Sequence, residues 1–166
     1  MMNPLQAIRD IIDGRKFGGF VEVEVIRDGK DGPQVIQRRR HNLVVNTGKR
    51  QTWRQASGLN PNDWDQFRIG TCGVAPNSGQ TNIISPVTGT LITADSKTLL
   101  AGTRTFQLVV SYPSGGGSKS ATGIQEVVVL NQNTSPGGSA LMRATFTPVN
   151  KTTADKLKIT YNVRIT

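Results

Sequence analysis

The sequence predicts a mainly β protein: an antiparallel β-sandwich or jelly roll with a short N-terminal helix or arm and one short internal helix. Three observations lead there. Glycine and proline supply 18 and 8 of 166 residues, above an ordinary share of about 12% for the pair, which implies many turns between short elements. Several segments alternate apolar and polar residues with period two, the signature of half-buried strands. The turn-rich stretches between them recur at intervals that suit about seven to nine strands. The length is that of one domain, long enough to build a core without disulfides or metals.

Taken in order, the N-terminus reads as a helix. Asn3 is a suitable cap, Pro4 fits the first helical position and Gly14 sits where a terminating glycine belongs. Leu5, Ile8 and Ile12 fall on one helical face, broadened by Ile11. A helix of about ten residues is marginal alone in water, so it must dock on its own sheet or on a neighbour. Phe17-Gly18-Gly19 reads as a hinge, dividing an arm at 1–19 from a single sandwich domain at 20–166.

Beyond the hinge, Val21, Val23 and Val25 alternate with Glu22, Glu24 and Ile26, predicting a strand with one mostly polar face. The cluster Asp-Gly-Lys-Asp-Gly-Pro at 28–33 is a turn, and 34–40 returns as its hairpin partner. A short helix is expected from near Thr47 to Gly58. Farther on, Phe106, Leu108, Val110 and Tyr112 share one face of a strand. The denser apolar run at 124–130 reads as a central strand, buried on both sides. Gly- and Ser-rich loops at 113–122 and 131–139 are expected to be disordered in the free protein. The last strand is the clearest, with Leu157, Ile159, Tyr161, Val163 and Ile165 all on one side.

Charge is distributed unevenly. Twenty Lys and Arg against eleven Asp and Glu give +9. Residues 38–54 contribute Arg38, Arg39, Arg40, Lys49, Arg50 and Arg54 with no acid, so this segment is the expected meeting point for an anionic or acidic partner. No apolar run approaches the roughly 18 residues of a spanning helix, and no signal peptide opens the chain; no membrane association is expected.

Catalytic chemistry finds little support. His41 is the one histidine and therefore the one base for a common triad. It follows three arginines at an expected strand start, where positive charge disfavours the imidazolium. Cys72, in Gly-Thr-Cys-Gly, lacks a nucleophile signature and reads as a small buried strand residue. Asp63 and Asp65 sit in a segment without the glycine and glutamate of an EF-hand loop. Glu22 and Glu24 share a strand face, read as solvated. No phosphate-binding glycine loop occurs. The expectation is a protein that is not an enzyme, with no cofactor, no metal and no small-molecule substrate. Specific nucleic-acid binding is disfavoured too, because stacking aromatics are scarce; Trp53 and Trp64 alone read as available.

Several segments together resemble virion structural proteins of tailed bacteriophages. They are His-Asn-Leu-Val-Val-Asn-Thr-Gly at 41–48, Phe-Arg-Ile-Gly-Thr at 67–71, Ala-Pro-Asn at 75–77 and Gly-Ile-Gln-Glu-Val at 123–127. The closing pair is Leu-Met-Arg-Ala-Thr-Phe-Thr-Pro-Val-Asn-Lys at 141–151 and Leu-Lys-Ile-Thr-Tyr at 157–161. The chain departs from the group's Glu-Val-Gly-Leu strand, because Glu126 is followed by three valines. The resemblance covers residues 38–166. It implies a β-sandwich located in the virion, without catalytic residues, that assembles with the major capsid protein or other virion proteins and forms a homo-oligomer. A capsid cement or decoration protein would dock through Leu5, Ile8, Ile11 and Ile12 on the arm and through the basic segment. The alternatives are a neck, tail or baseplate component, or a carbohydrate-binding module using Trp53, Trp64 and Tyr112.

Overall fold

The computed structural model describes residues 17–29, 32–41, 43–46, 48–49, 64–102, 105–115, 119–131 and 140–165. These form two five-stranded antiparallel sheets packed as a β-sandwich. Sheet I contains β1 (Phe17–Gly29), β2 (Gly32–His41), β6 (Ser96–Leu100), β7 (Thr105–Tyr112) and β10 (Asp155–Ile165), in the order β2-β1-β10-β7-β6. Sheet II contains β3 (Leu43–Val44), β4 (Gln66–Gly70), β5 (Ile92–Thr93), β8 (Ala121–Leu130) and β9 (Ala140–Lys151), in the order β3-β9-β8-β4-β5. Ten strands exceed the seven to nine expected, because β3 and β5 have only two residues each and leave no periodic signal.

Sheet I follows the sequence pattern closely. Val21, Val23 and Val25 are buried, as are Leu108, Val110 and Tyr112 on β7 and Leu157, Ile159, Tyr161 and Val163 on β10. The hairpin at 28–33 forms as expected, with Gly29 opposite Gly32. The hinge does not fall where it was expected. β1 begins at Phe17, and Gly18 and Gly19 pair with Arg164 and Val163, so both glycines lie inside a ladder.

Sheet II buries both of its faces. Phe67, Ile69, Val127, Val129, Met142 and Ala144 point into the core shared with sheet I, while Val128, Leu130 and Ala140 join a second cluster with Val45 and Ile83. β8 is central, as the apolar run predicts, but it starts at Ala121, so the preceding loop ends earlier than expected. Gly123 has φ +69, in the left-handed region; it sits at a break in the β8–β9 register, where a bulge needs a residue without a Cβ.

Two features tie the layers together. Tyr161 of sheet I donates its hydroxyl to the Val127 carbonyl of sheet II at 3.1 Å, and its ring packs at a tilt on Phe67 with centroids 5.8 Å apart. Burial pushes the Tyr161 hydroxyl well above its ordinary value, so it remains a donor. The second feature is the corner at 152–154, where the chain leaves β9 and enters β10 in the other sheet. Asp155 there accepts from the Thr152 backbone N–H at 2.8 Å, from Thr152 Oγ1 at 2.9 Å and from both Nε and Nη2 of Arg27 at 2.7 and 3.0 Å. The Arg27 hydrogen bonds hold its carboxyl well below the usual carboxylate range, against the opposing effect of burial.

Candidate functional site

The outer face of sheet II is roofed by the connection between β4 and β5, residues 71–91. A roof over a sheet needs partners for its own backbone groups, and these come from specific positions. Thr71 N–H donates to Ser85 O at 2.9 Å and Val87 N–H to Ile69 O at 2.9 Å. On the far side, Ala140 N–H donates to Thr81 O at 2.9 Å and Asn46 N–H to Ser78 O at 2.8 Å. The strap therefore crosses the sheet from β4 to β9 and β3. Ile83 and Leu91 pack beneath it on Val128, Leu130, Ala140 and Val45.

Its centre is fixed by a charge pair. Glu126 on β8 and Arg143 on β9 are fully buried, with Arg143 Nε donating to Glu126 Oε1 at 2.6 Å. Glu126 also accepts from the backbone N–H of Ile84 at 2.9 Å and of Ser85 at 3.3 Å. Arg143 Nη1 donates to Val74 O at 2.8 Å and Gln80 Oε1 at 3.1 Å. Gln80 Oε1 in turn accepts from Asn77 N–H at 3.0 Å, closing the turn at 77–80. A Cβ at Gly70 would lie 2.5 Å from Ser85 O and 2.7 Å from Glu126 Oε2, so glycine there lets the strap come down onto the carboxylate. Each charge thus has a partner and serves the loop, while Arg143 Nη2 is left buried without a hydrogen bond; the pairing is what makes two buried charges tolerable.

What the strap shows to solvent is uncharged. Residues 69–94 contain no Asp, Glu, Lys or Arg, against 19% charged residues in the whole chain. Val74 and Ile84 are 60% and 46% exposed, yet their backbones are bonded directly to Arg143 and Glu126. The buried pair therefore holds two aliphatic side chains outward on a fixed backbone.

Protein-family models, curated proteins and solved structures give no match to this chain. The site rests on its own geometry.

Among the described residues, the docking positions expected from sequence do not belong to the strap. Leu5, Ile8, Ile11, Ile12, Arg50 and Arg54 lie outside the described residues. Arg38, Arg39 and Arg40 belong to β2, in register with Val23, Glu22 and Val21 at one edge of sheet I. Lys49 lies in a helical turn beyond β3, its N–H donating to Val45 O at 3.1 Å; the rest of the expected internal helix, from 50 to 58, lies outside the described residues. Among the described residues, the basic segment thus runs from β2, at one edge of sheet I, to the turn after β3, at one edge of sheet II.

Other readings need correction. His41 closes β2 and does not open a strand. Cys72 is half-buried in the strap, not in a strand. Asp65 is engaged with Gln66 Nε2 at 2.9 Å and Lys97 at 3.4 Å, and Glu24 pairs with Lys158 at 3.0 Å. Trp64 and Tyr112 are core residues at 9% and 6% exposure, and the Tyr112 hydroxyl donates to Thr90 O at 3.0 Å; neither offers a stacking face for a sugar. Trp53 and Asp63 lie outside the described residues. The Glu126–Arg143 pair was missed. Its signal was a lone acid in the apolar run of β8 and a lone base in that of β9, two buried charges that needed one another.

Proposed function

We propose that this chain is a non-enzymatic structural protein of a tailed-phage virion, a capsid cement or decoration protein that docks on the shell and stabilises contacts between capsid subunits. The observation that carries the reading is the strapped face of sheet II. Its deepest charges are spent on fixing a loop, and the fixed loop displays aliphatic side chains among neutral polar ones. Interface cores are depleted of charge in the same way. A pre-ordered loop also loses little entropy on docking, which favours binding. The resemblance across residues 38–166 agrees with this, and the amphipathic stripe of Leu5, Ile8, Ile11 and Ile12 would extend the contact beyond the domain. Repetition around a shell would add weak contacts through multivalency.

Quantitative mass spectrometry of purified particles separated into heads and tails tests the proposal. High copy number in the head fraction is the expected result. A few copies in the tail fraction would move the chain to the neck, tail or baseplate, and absence from both would overturn the virion reading.

A further inference from the structure

We infer that the β2 edge of sheet I takes an added strand from an acidic, extended segment of a partner protein. The inference names a partner chemistry for the assembly role above and rests on that role for its setting alone. β2 runs ten residues, Gly32–His41, and pairs with β1 from end to end without a break in register. Among the described residues β1 is its one neighbour in the sheet. Main-chain groups of an antiparallel strand point alternately to either side, so about half of those on β2 are turned away from β1. Such an edge is a template for another strand. Pro33, near its start, suits an edge, since a residue without an N–H is tolerated there.

Charge selects what the edge accepts. Residues 32–62 contain no Asp or Glu, while Arg38, Arg39 and Arg40 stand in a row on β2. β2 and β3 border the same side of the sandwich, with β1 packed near β3 and β2 near β9, and Lys49 follows in the turn after β3. The opposite border of sheet I differs, because Lys97 of β6 is matched there by Asp65. A second copy is a poor occupant: like charges on neighbouring strands repel, and each chain carries +9. An acidic strand brings the opposite sign. Its extended form follows from the spacing of the arginines. Register sets Arg39 opposite Glu22, and Arg38 and Arg40 opposite Val23 and Val21, so the three positions alternate between the faces of the sheet. A flat anionic surface meets one face alone. A strand lying alongside, with acids on consecutive residues, meets both, since its own residues alternate in step. Nucleic acid offers charge but no main-chain ladder, and residues 32–49 hold no Phe, Trp or Tyr on which a base would stack.

Fluorescence anisotropy of the full chain at physiological salt tests this, using a labelled ten-residue peptide of valine and threonine with three consecutive glutamates at its centre. Saturable binding that weakens as salt rises is expected, with slowed amide hydrogen exchange at 32–41. Two control peptides separate charge from strand: one has glutamine for glutamate, and one has proline for the flanking valines, which keeps the charge and removes the ladder. Each should bind at least about tenfold more weakly. Arg38→Gln/Arg39→Gln/Arg40→Gln should lose as much, with melting temperature retained. No binding overturns the inference. So does a proline peptide that binds as well as the parent, or an oligothymidylate of equal charge that protects 32–41 equally. The particle measurement is separate: a chain absent from virions that still takes the acidic strand would sink the virion reading and leave this one intact. A chain abundant in heads that ignores the peptide would do the reverse.

Discussion

The two sheets solve the same burial problem in opposite ways. Sheet I turns apolar residues inward and a polar ladder outward, where Glu24 pairs with Lys158 at 3.0 Å, both side chains partly exposed. Its surface polarity is cheap, because water and neighbouring side chains share the solvation. Sheet II instead buries both faces and must supply every partner from within the protein. An ion pair that would be worth little on sheet I becomes decisive under the strap, since removing either partner strands a buried charge.

The sharpest way to break the comparison is Arg143→Met. It leaves the buried Glu126 carboxyl without its partner, and should cost about 3–5 kcal/mol in urea unfolding. Hydrogen exchange should rise first across 71–91, with the sheet I ladder still protected. Equal loss of protection in both sheets would show that the strap is not a separable layer.

Asp155→Asn probes the corner that joins the layers. Losing charge-assisted bonds from Arg27 should cost about 1.5–3 kcal/mol near neutral pH. The sign with pH follows from the depressed carboxyl. Its contribution is complete above the ordinary value of 3.8 and drains away as pH falls from there towards the lower folded value. Acid titrations followed by fluorescence should therefore show a shallower loss of stability in the Asn variant than in the wild type.

Smaller effects come from single groups. Tyr161→Phe removes the bond to Val127 O and should cost about 1 kcal/mol in denaturant midpoint, with the ring packing kept. Leu99→Thr, on exposed β6, should change stability by less than about 0.5 kcal/mol; a larger loss would mean that β6 is covered in solution.

The same contrast governs what could be read from the sequence. The strands of sheet I alternate in and out, so Val21, Val23 and Val25, and likewise Leu157 through Val163, announce their faces residue by residue. β8 and β9 are buried on both sides and read as continuous apolar runs, in which period two is erased. The lone charges Glu126 and Arg143 then carry no face, and their pairing depends on a register with bulges that no local pattern encodes. The strap was illegible for a related reason. Its ordering comes from backbone bonds to β3, β8 and β9, distant in sequence, while its composition of Gly, Ser, Thr, Asn and Pro resembles that of any loop. The placement of the basic segment was likewise hidden, because a charge run is contiguous in the chain while the chain switches sheets between Arg40 and Lys49.

The hydroxyl of Tyr161 has a mechanical consequence. Apolar contacts between two layers resist separation but are nearly indifferent to sliding, since one methyl-sized neighbour serves much as another. A directional bond from the middle of β10 to the carbonyl of Val127 lets the layers slip only by breaking it, inside a core where water is not at hand to replace it. The sandwich is thereby stiffened against shear along its strands, and a force applied at one sheet is handed to the other without loss of alignment.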